Sequence, residues 1–166
     1  MDLGDLNAAA PGQARGWLLD CCASTAWANT MTALRPFADA DDLQAAAERV
    51  WRGLDRSAWL EAFAAHPRIG ERVESRGRFS TWSRHEQEQA ASADEAVLAD
   101  LAACNRAYEE RFGHVLLVFA TGRTAAEVLD LCRQRLGNEP EAEVQVAAAE
   151  QAKITDLRLR RLLGIV

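Results

Sequence analysis

Several features that would quickly identify a function are missing from this chain. It has no apolar run near the roughly 20 residues needed to cross a bilayer. Its start, Met1-Asp2-Leu3-Gly4-Asp5, lacks the basic residues and apolar stretch of a secretory leader. Its end, Leu163-Gly164-Ile165-Val166, carries no peroxisomal or retention tripeptide. These absences make a soluble cytoplasmic protein the expectation. There is no P-loop, no dinucleotide-binding glycine fingerprint, no Ser-His-Asp order and no lysine-based cofactor signature, so any chemistry is expected to run without a cofactor. Positive charge is in deficit, with 19 Lys and Arg against 25 Asp and Glu, a net charge of -6 and a pI near 5.1. That balance argues against nucleic acid or an anionic membrane as a partner, since both require a basic footprint. The four cysteines, Cys21, Cys22, Cys104 and Cys132, include no C-x-x-C. They read as reduced thiols used as small core residues. The three histidines, His66, His85 and His114, have no pair at the i, i+4 spacing of a helical zinc motif. Glu86, adjacent to His85, points to another helix face, so no metal site is expected.

What is present is helix. The 166 residues fit one domain, 1–166, with one core; residues 1–12 are the stretch most open to flexibility. Hydrophobic residues make up 49%, but much of that is alanine, a strong helix former with little bulk. The five tryptophans must therefore supply much of the packing volume. Leu43, Ala46, Ala47, Val50, Trp51 and Leu54 follow the spacing of an amphipathic helix, with Asp39 and Asp41 near its start and Gly53 near its end. A short helix through Trp59, Leu60 and Phe63 should stop at His66, because Pro67 disfavours helical geometry there. Residues 67–82 hold two glycines and four arginines and read as a long surface loop. Ser83-Arg84-His85-Glu86 and Ser92-Ala93-Asp94-Glu95 read as helix-opening capping boxes. Leu98, Leu101, Asn105, Tyr108 and Phe112 mark the next helix, ended by Gly113. The apolar run Val115–Ala120 has no second strand to join, so a buried extended or weakly helical segment is expected. Its backbone N–H groups then need partners, and a ligand is one candidate. Thr124-Ala125-Ala126-Glu127 opens a helix through Leu136, and the last helix runs from Asn138 and Pro140 to about Leu163. The sum is an all-α compact domain of seven to eight helices.

Chemistry is most expected around His66-Pro67-Arg68-Ile69-Gly70 and Trp82-Ser83-Arg84-His85-Glu86-Gln87. A histidine and a carboxylate meeting across a short loop suit proton transfer near neutral pH. The same residues also have plainer uses. His66 can cap a helix C-terminus, and Ser83 with Glu86 is a common helix start whose free N–H groups also bind anions. Arg68, Arg72, Arg76, Arg78 and Arg84 form either a solvated face balanced by Glu71, Glu74 and Glu86 or a local anion funnel in an acidic protein. Arg123 is a further anion candidate.

Taken in order, His66-Pro67-Arg68-Ile69-Gly70, Ser83-Arg84-His85-Glu86-Gln87 and Arg111-Phe112-Gly113 closely resemble the signature of the 2-oxo-4-hydroxy-4-carboxy-5-ureidoimidazoline (OHCU) decarboxylases. Arg35-Pro36-Phe37, Asn105 with Tyr108–Gly113, Arg135-Leu136-Gly137-Asn138, and the tail around Glu150, Lys153-Ile154 and Leu157-Arg158-Leu159 extend the resemblance over nearly the whole chain from about Trp17. Single pieces are weak; their order and spacing together are specific. The chain departs from several relatives at His114 and Val115, where they carry Phe or Pro. The resemblance implies an all-helical homodimer with no cofactor or metal. It implies a late step of urate breakdown, in which urate oxidase and a hydrolase supply OHCU and this enzyme decarboxylates it to (S)-allantoin. It implies that His66 is the catalytic proton donor and Glu86 its partner carboxylate. The implied substrate contacts are Pro67, then Ser83, Arg84, His85, Glu86 and Gln87, then Leu116, Leu117, Val118, Phe119 and Ala120. The alternative is a non-catalytic helical domain that binds a purine-derived anion in the same pocket; it would show saturable affinity without CO2 release.

Overall fold

The computed structural model describes residues 1–69 and 95–166. The chain is all-α: the described residues form eight helices and no strand. They fall into two compact units, Met1–Ala65 with Gln151–Val166, and His66–Glu150.

The first unit contains α1 (Leu3–Ala8), α2 (Pro11–Cys21), α3 (Thr25–Ala33), α4 (Ala40–Arg52) and α5 (Arg56–Ala64), together with the later turns of α8 (Pro140–Leu162). Its helix starts are fixed by short polar side chains that accept otherwise orphaned backbone N–H groups. Asp2, Ser24, Asp39 and Asp55 each do this. Leu6 is fully buried, and Arg35 Nη1 donates to Leu6 O at 2.6 Å and Ala9 O at 2.8 Å. Asn7 exchanges two hydrogen bonds with the Phe37 backbone. The tryptophans fill the space the alanines leave. Trp27 is fully buried and its Nε1 donates to Ala47 O at 3.1 Å. Trp59 is half-buried against Trp51, ring centroids 6.0 Å apart, and donates to Trp51 O.

The second unit contains α6 (Glu95–Phe112), α7 (Ala125–Arg135) and the first turns of α8. On α6, Leu101, Cys104, Asn105, Tyr108 and Phe112 are buried, as their 3–4 residue spacing demands. Gly113 ends the helix at φ +75°, with its N–H on Glu109 O at 2.8 Å; a side chain there would be strained. Val115–Ala120 is neither helix nor strand, and Leu116, Leu117, Val118 and Ala120 are buried. Gly122, at φ +82°, turns the chain into α7. Thr124 and Glu127 form the anticipated reciprocal cap there.

Two of the four cysteines depart from the expectation of reduced core thiols. Cys21 and Cys22 are buried free thiols, and burial pushes the Cys22 thiol up to about 12, which keeps it protonated and inert. Cys104 and Cys132, by contrast, form a disulfide joining α6 to α7. Both lie on the buried faces of these packed helices, which brings residues 28 positions apart to a Cα–Cα separation of 6.4 Å. Sequence spacing alone carried no sign of that proximity. Closing a loop of this length constrains the unfolded chain, and reduction should lower stability by about 2–4 kcal/mol. Urea unfolding with and without reductant measures this. Coincident midpoints, with thiol titration confirming reduction, would refute it.

Candidate active site

His66 is half-buried and stands two residues beyond the last residue of α5. The helix stops just before it, as Pro67 requires. The residues that follow are pinned to α6. Arg68 clamps Glu109 with both ends of its guanidinium, Nε to Oε1 at 2.6 Å and Nη2 to Oε2 at 2.8 Å. The Ile69 carbonyl accepts from Asn105 Nδ2 at 2.9 Å, and the Ile69 side chain enters the unit's core. Leu116, Val118 and Ala120 belong to that same core, so the histidine loop and the extended segment share one scaffold.

Hydrogen bonds from Arg68, more than its charge, hold the Glu109 carboxyl below its ordinary value of 4.5. A carboxyl whose folded-state value is depressed stabilises the protein above the unfolded value and loses that contribution as pH falls through the folded one. Arg68 is 43% exposed, so solvent screening limits the effect to about 0.5–1 kcal/mol. An Arg68→Met variant should therefore lose less stability than the parent between about pH 5 and pH 3. Parallel urea titrations test this, and identical acid sensitivity would refute it.

The extended segment is held from both sides of its backbone. Arg135 Nη1 donates to the Leu117 carbonyl, and Phe119 N–H donates to Glu150 Oε2 at 2.6 Å. Among the described residues, none accepts from the N–H groups of Leu116, Leu117 or Val118. Arg135 is itself locked in a buried polar cluster. Its Nε lies 2.7 Å from Glu143 Oε1, Tyr108 OH donates to the same oxygen, and Asn138 Nδ2 reaches Glu143 Oε2 at 2.6 Å. Glu143 is fully buried. Burial is the largest influence on the Tyr108 phenol and raises its pKa, so it stays a donor. His114 packs edge-on against Tyr108, with its Nδ1 3.0 Å from Val115 O.

Of the sequence-derived site residues, His66, Pro67 and Leu116 to Ala120 are thus placed in one unit. Ser83, Arg84, His85, Glu86 and Gln87, with Arg72, Arg76 and Arg78, lie outside the described residues. Among the described residues no three His, Cys, Asp or Glu side chains gather as a metal site. Sequence reasoning missed the supporting cluster. A signal existed: Arg135 continues the buried stripe of Val128, Leu129 and Cys132 on α7, and Glu143 joins that of Val144, Ala147 and Ala148 on α8. Opposite charges on two apolar stripes point to a buried pair.

A histidine held beside a rigid proline thus stands in the same helical unit as a buried segment whose Leu116, Leu117 and Val118 N–H groups no described residue accepts. The chain belongs to the OHCU decarboxylase family, whose model matches residues 7–160. It is 35% identical over 147 residues to the "Uric acid degradation bifunctional protein TTL" of Arabidopsis thaliana; the match covers 87% of this chain but 45% of that protein. It is 34% identical over 131 residues to an OHCU decarboxylase of Amia calva, covering 78% of this chain and 75% of the relative. A crystal structure of an OHCU decarboxylase in the presence of (S)-allantoin superposes with a TM-score of 0.79 at 34% identity, covering 90% of this chain and 98% of the other.

Proposed function

We propose that this chain decarboxylates OHCU to (S)-allantoin without a cofactor, in urate degradation. The observation that carries the reading is the match over residues 7–160, which includes a His66-Pro67-Arg68-Ile69 loop anchored to α6.

Loss of CO2 from C4 of the substrate leaves an electron pair that moves toward C5, while the C5=N π electrons move onto nitrogen. The nitrogen takes up a proton, and the enol so formed collapses to the C4 carbonyl, releasing its hydroxyl proton as C5 takes one on a single face. His66, as an acid–base group in a fixed place, delivers that proton and so sets the handedness of the product. Glu86 holds the imidazole or contacts the hydroxyl and ureido groups. Pro67 shapes the wall beside the histidine. Ser83, Arg84, His85 and Gln87 meet the polar edges of the substrate. The donors of Leu116, Leu117 and Val118, which no described residue occupies, suit its ring and ureido oxygens. The homodimer implied by the resemblance and the cytoplasmic location expected from the sequence belong to the same reading; light scattering of the purified protein and cell fractionation test them. No helix of the described residues is long and apolar enough to cross a membrane.

The test is circular dichroism of allantoin formed from urate, with urate oxidase and the hydrolase present. Fast appearance of the (S) signal only when this protein is added is the expected result. Unchanged rate and handedness would sink the assignment.

A further inference from the structure

Two side chains of α6 sit one turn apart and hold consecutive residues of the histidine loop: Asn105 takes the Ile69 carbonyl and Glu109 takes the Arg68 guanidinium. Residues four apart share a helix face, so together they form one short rail along the loop.

Neither contact is well explained as a stability device. Asn105 is 2% exposed and occupies a position on the buried face of α6, between Leu101 and Tyr108. Among the described residues none donates to its Oδ1, and a buried acceptor left unpaired is unfavourable. An apolar residue would avoid that penalty but could not donate to Ile69. The Arg68–Glu109 pair is partly exposed, with side chains 43% and 23% accessible, and such pairs add little stability. What a fork-to-fork guanidinium–carboxylate contact does supply is geometry, since two parallel hydrogen bonds fix both planes. Pro67 transmits that constraint because its ring locks its own φ and restricts the residue before it. That residue is His66.

We propose that Asn105 and Glu109 are positioning residues for His66, acting through the backbone of Ile69 and the side chain of Arg68 respectively. The proposal rests on the catalytic reading of His66 given above. It adds an explanation for an arginine directly after His-Pro: the arginine serves as a tether to α6.

The variants Glu109→Gln, Arg68→Met, their combination, and Asn105→Leu test it, read by steady-state kinetics and by the imidazole NMR signals of His66, assigned by their loss in His66→Asn. Glu109→Gln keeps the shape of the side chain but breaks the two-point clamp. The expected result is a fall in kcat of about ten- to a hundredfold with KM within about twofold, because misplacement of a reacting group acts mainly on turnover. The double variant should be no worse than the poorer single one, since both remove the same tether. The His66 signals should shift in each. Asp100→Asn, which breaks the exposed Asp100–Arg133 pair at 2.9 Å elsewhere on α6, should leave both readouts unchanged. Additive losses in the double variant, or His66 signals and kcat unaltered in Glu109→Gln and Asn105→Leu, would overturn the proposal. An inactive parent protein would instead defeat the decarboxylase reading, and the NMR signals would still decide whether α6 positions the ring.

Discussion

A His66→Asn substitution lowers kcat by about 10²–10⁴-fold, the usual contribution of a positioned general acid, while leaving the fold intact. Asparagine matches histidine closely in size and retains a hydrogen-bonding amide, but it has no proton to exchange near neutral pH. His66 lies outside any helix, so no helix hydrogen bond is lost, and urea unfolding of the variant checks that the fold is kept. The pH–rate profile should also lose the ionisation that the imidazole contributes. Product formed by the variant should lose its excess of the (S) form, because protonation at C5 passes from a fixed donor to solvent that reaches both faces. If Glu86 works with His66, then Glu86→Gln combined with His66→Asn costs no more than His66→Asn alone. A His66→Asn variant with full activity and an unchanged pH profile would remove His66 from the mechanism.

The helices were legible because their signals are local. Asp39, Gly53, Gly113 and the Thr124–Glu127 cap act within one turn of themselves, and each lies where the sequence places it. That Val115–Ala120 is not a strand was legible by elimination, since one apolar run without a partner cannot build a sheet. The end of α5 before His66 was legible because proline dictates what happens to the residue before it. What escaped was every feature created by chain segments meeting at a distance. The Cys104–Cys132 bond depends on how α6 packs on α7. The partners of Arg68, Glu109 and Asn105 depend on where the loop lies along α6. Arg135 and Glu143 each look like an ordinary charged residue of a helix until the two side chains are seen to meet in the interior.

Glu143→Ala should destabilise the protein by about 3–5 kcal/mol, because it leaves the Arg135 guanidinium buried without its counter-ion. Arg135 is 7% exposed and Glu143 is fully buried, so water cannot readily replace either partner. Tyr108→Phe removes one neutral donor from the same carboxylate and one acceptor from Arg135 Nη2, leaves the ion pair in place, and should cost about 1–2 kcal/mol. The informative variant is Arg135→Met with Glu143→Leu. Replacing both ions of a buried pair with apolar residues of similar size is often neutral, so the double variant should recover most of the stability lost by Glu143→Ala. It cannot recover the hydrogen bond from Arg135 Nη1 to the Leu117 carbonyl, and nothing apolar can substitute for that anchor on the extended segment. Stability and activity should therefore separate. Thermal and urea unfolding should approach the parent, while KM for OHCU rises because Leu116–Val118 no longer present their N–H groups in a fixed line. A Glu143→Ala variant that loses less than about 1 kcal/mol would contradict the burial of the pair, since an unpaired buried charge cannot be that cheap. A double variant with restored stability and parental KM would show that the pair serves the core alone. The expected outcome gives Arg135 two separable roles, one in neutralising Glu143 and one in shaping the segment proposed to meet the substrate.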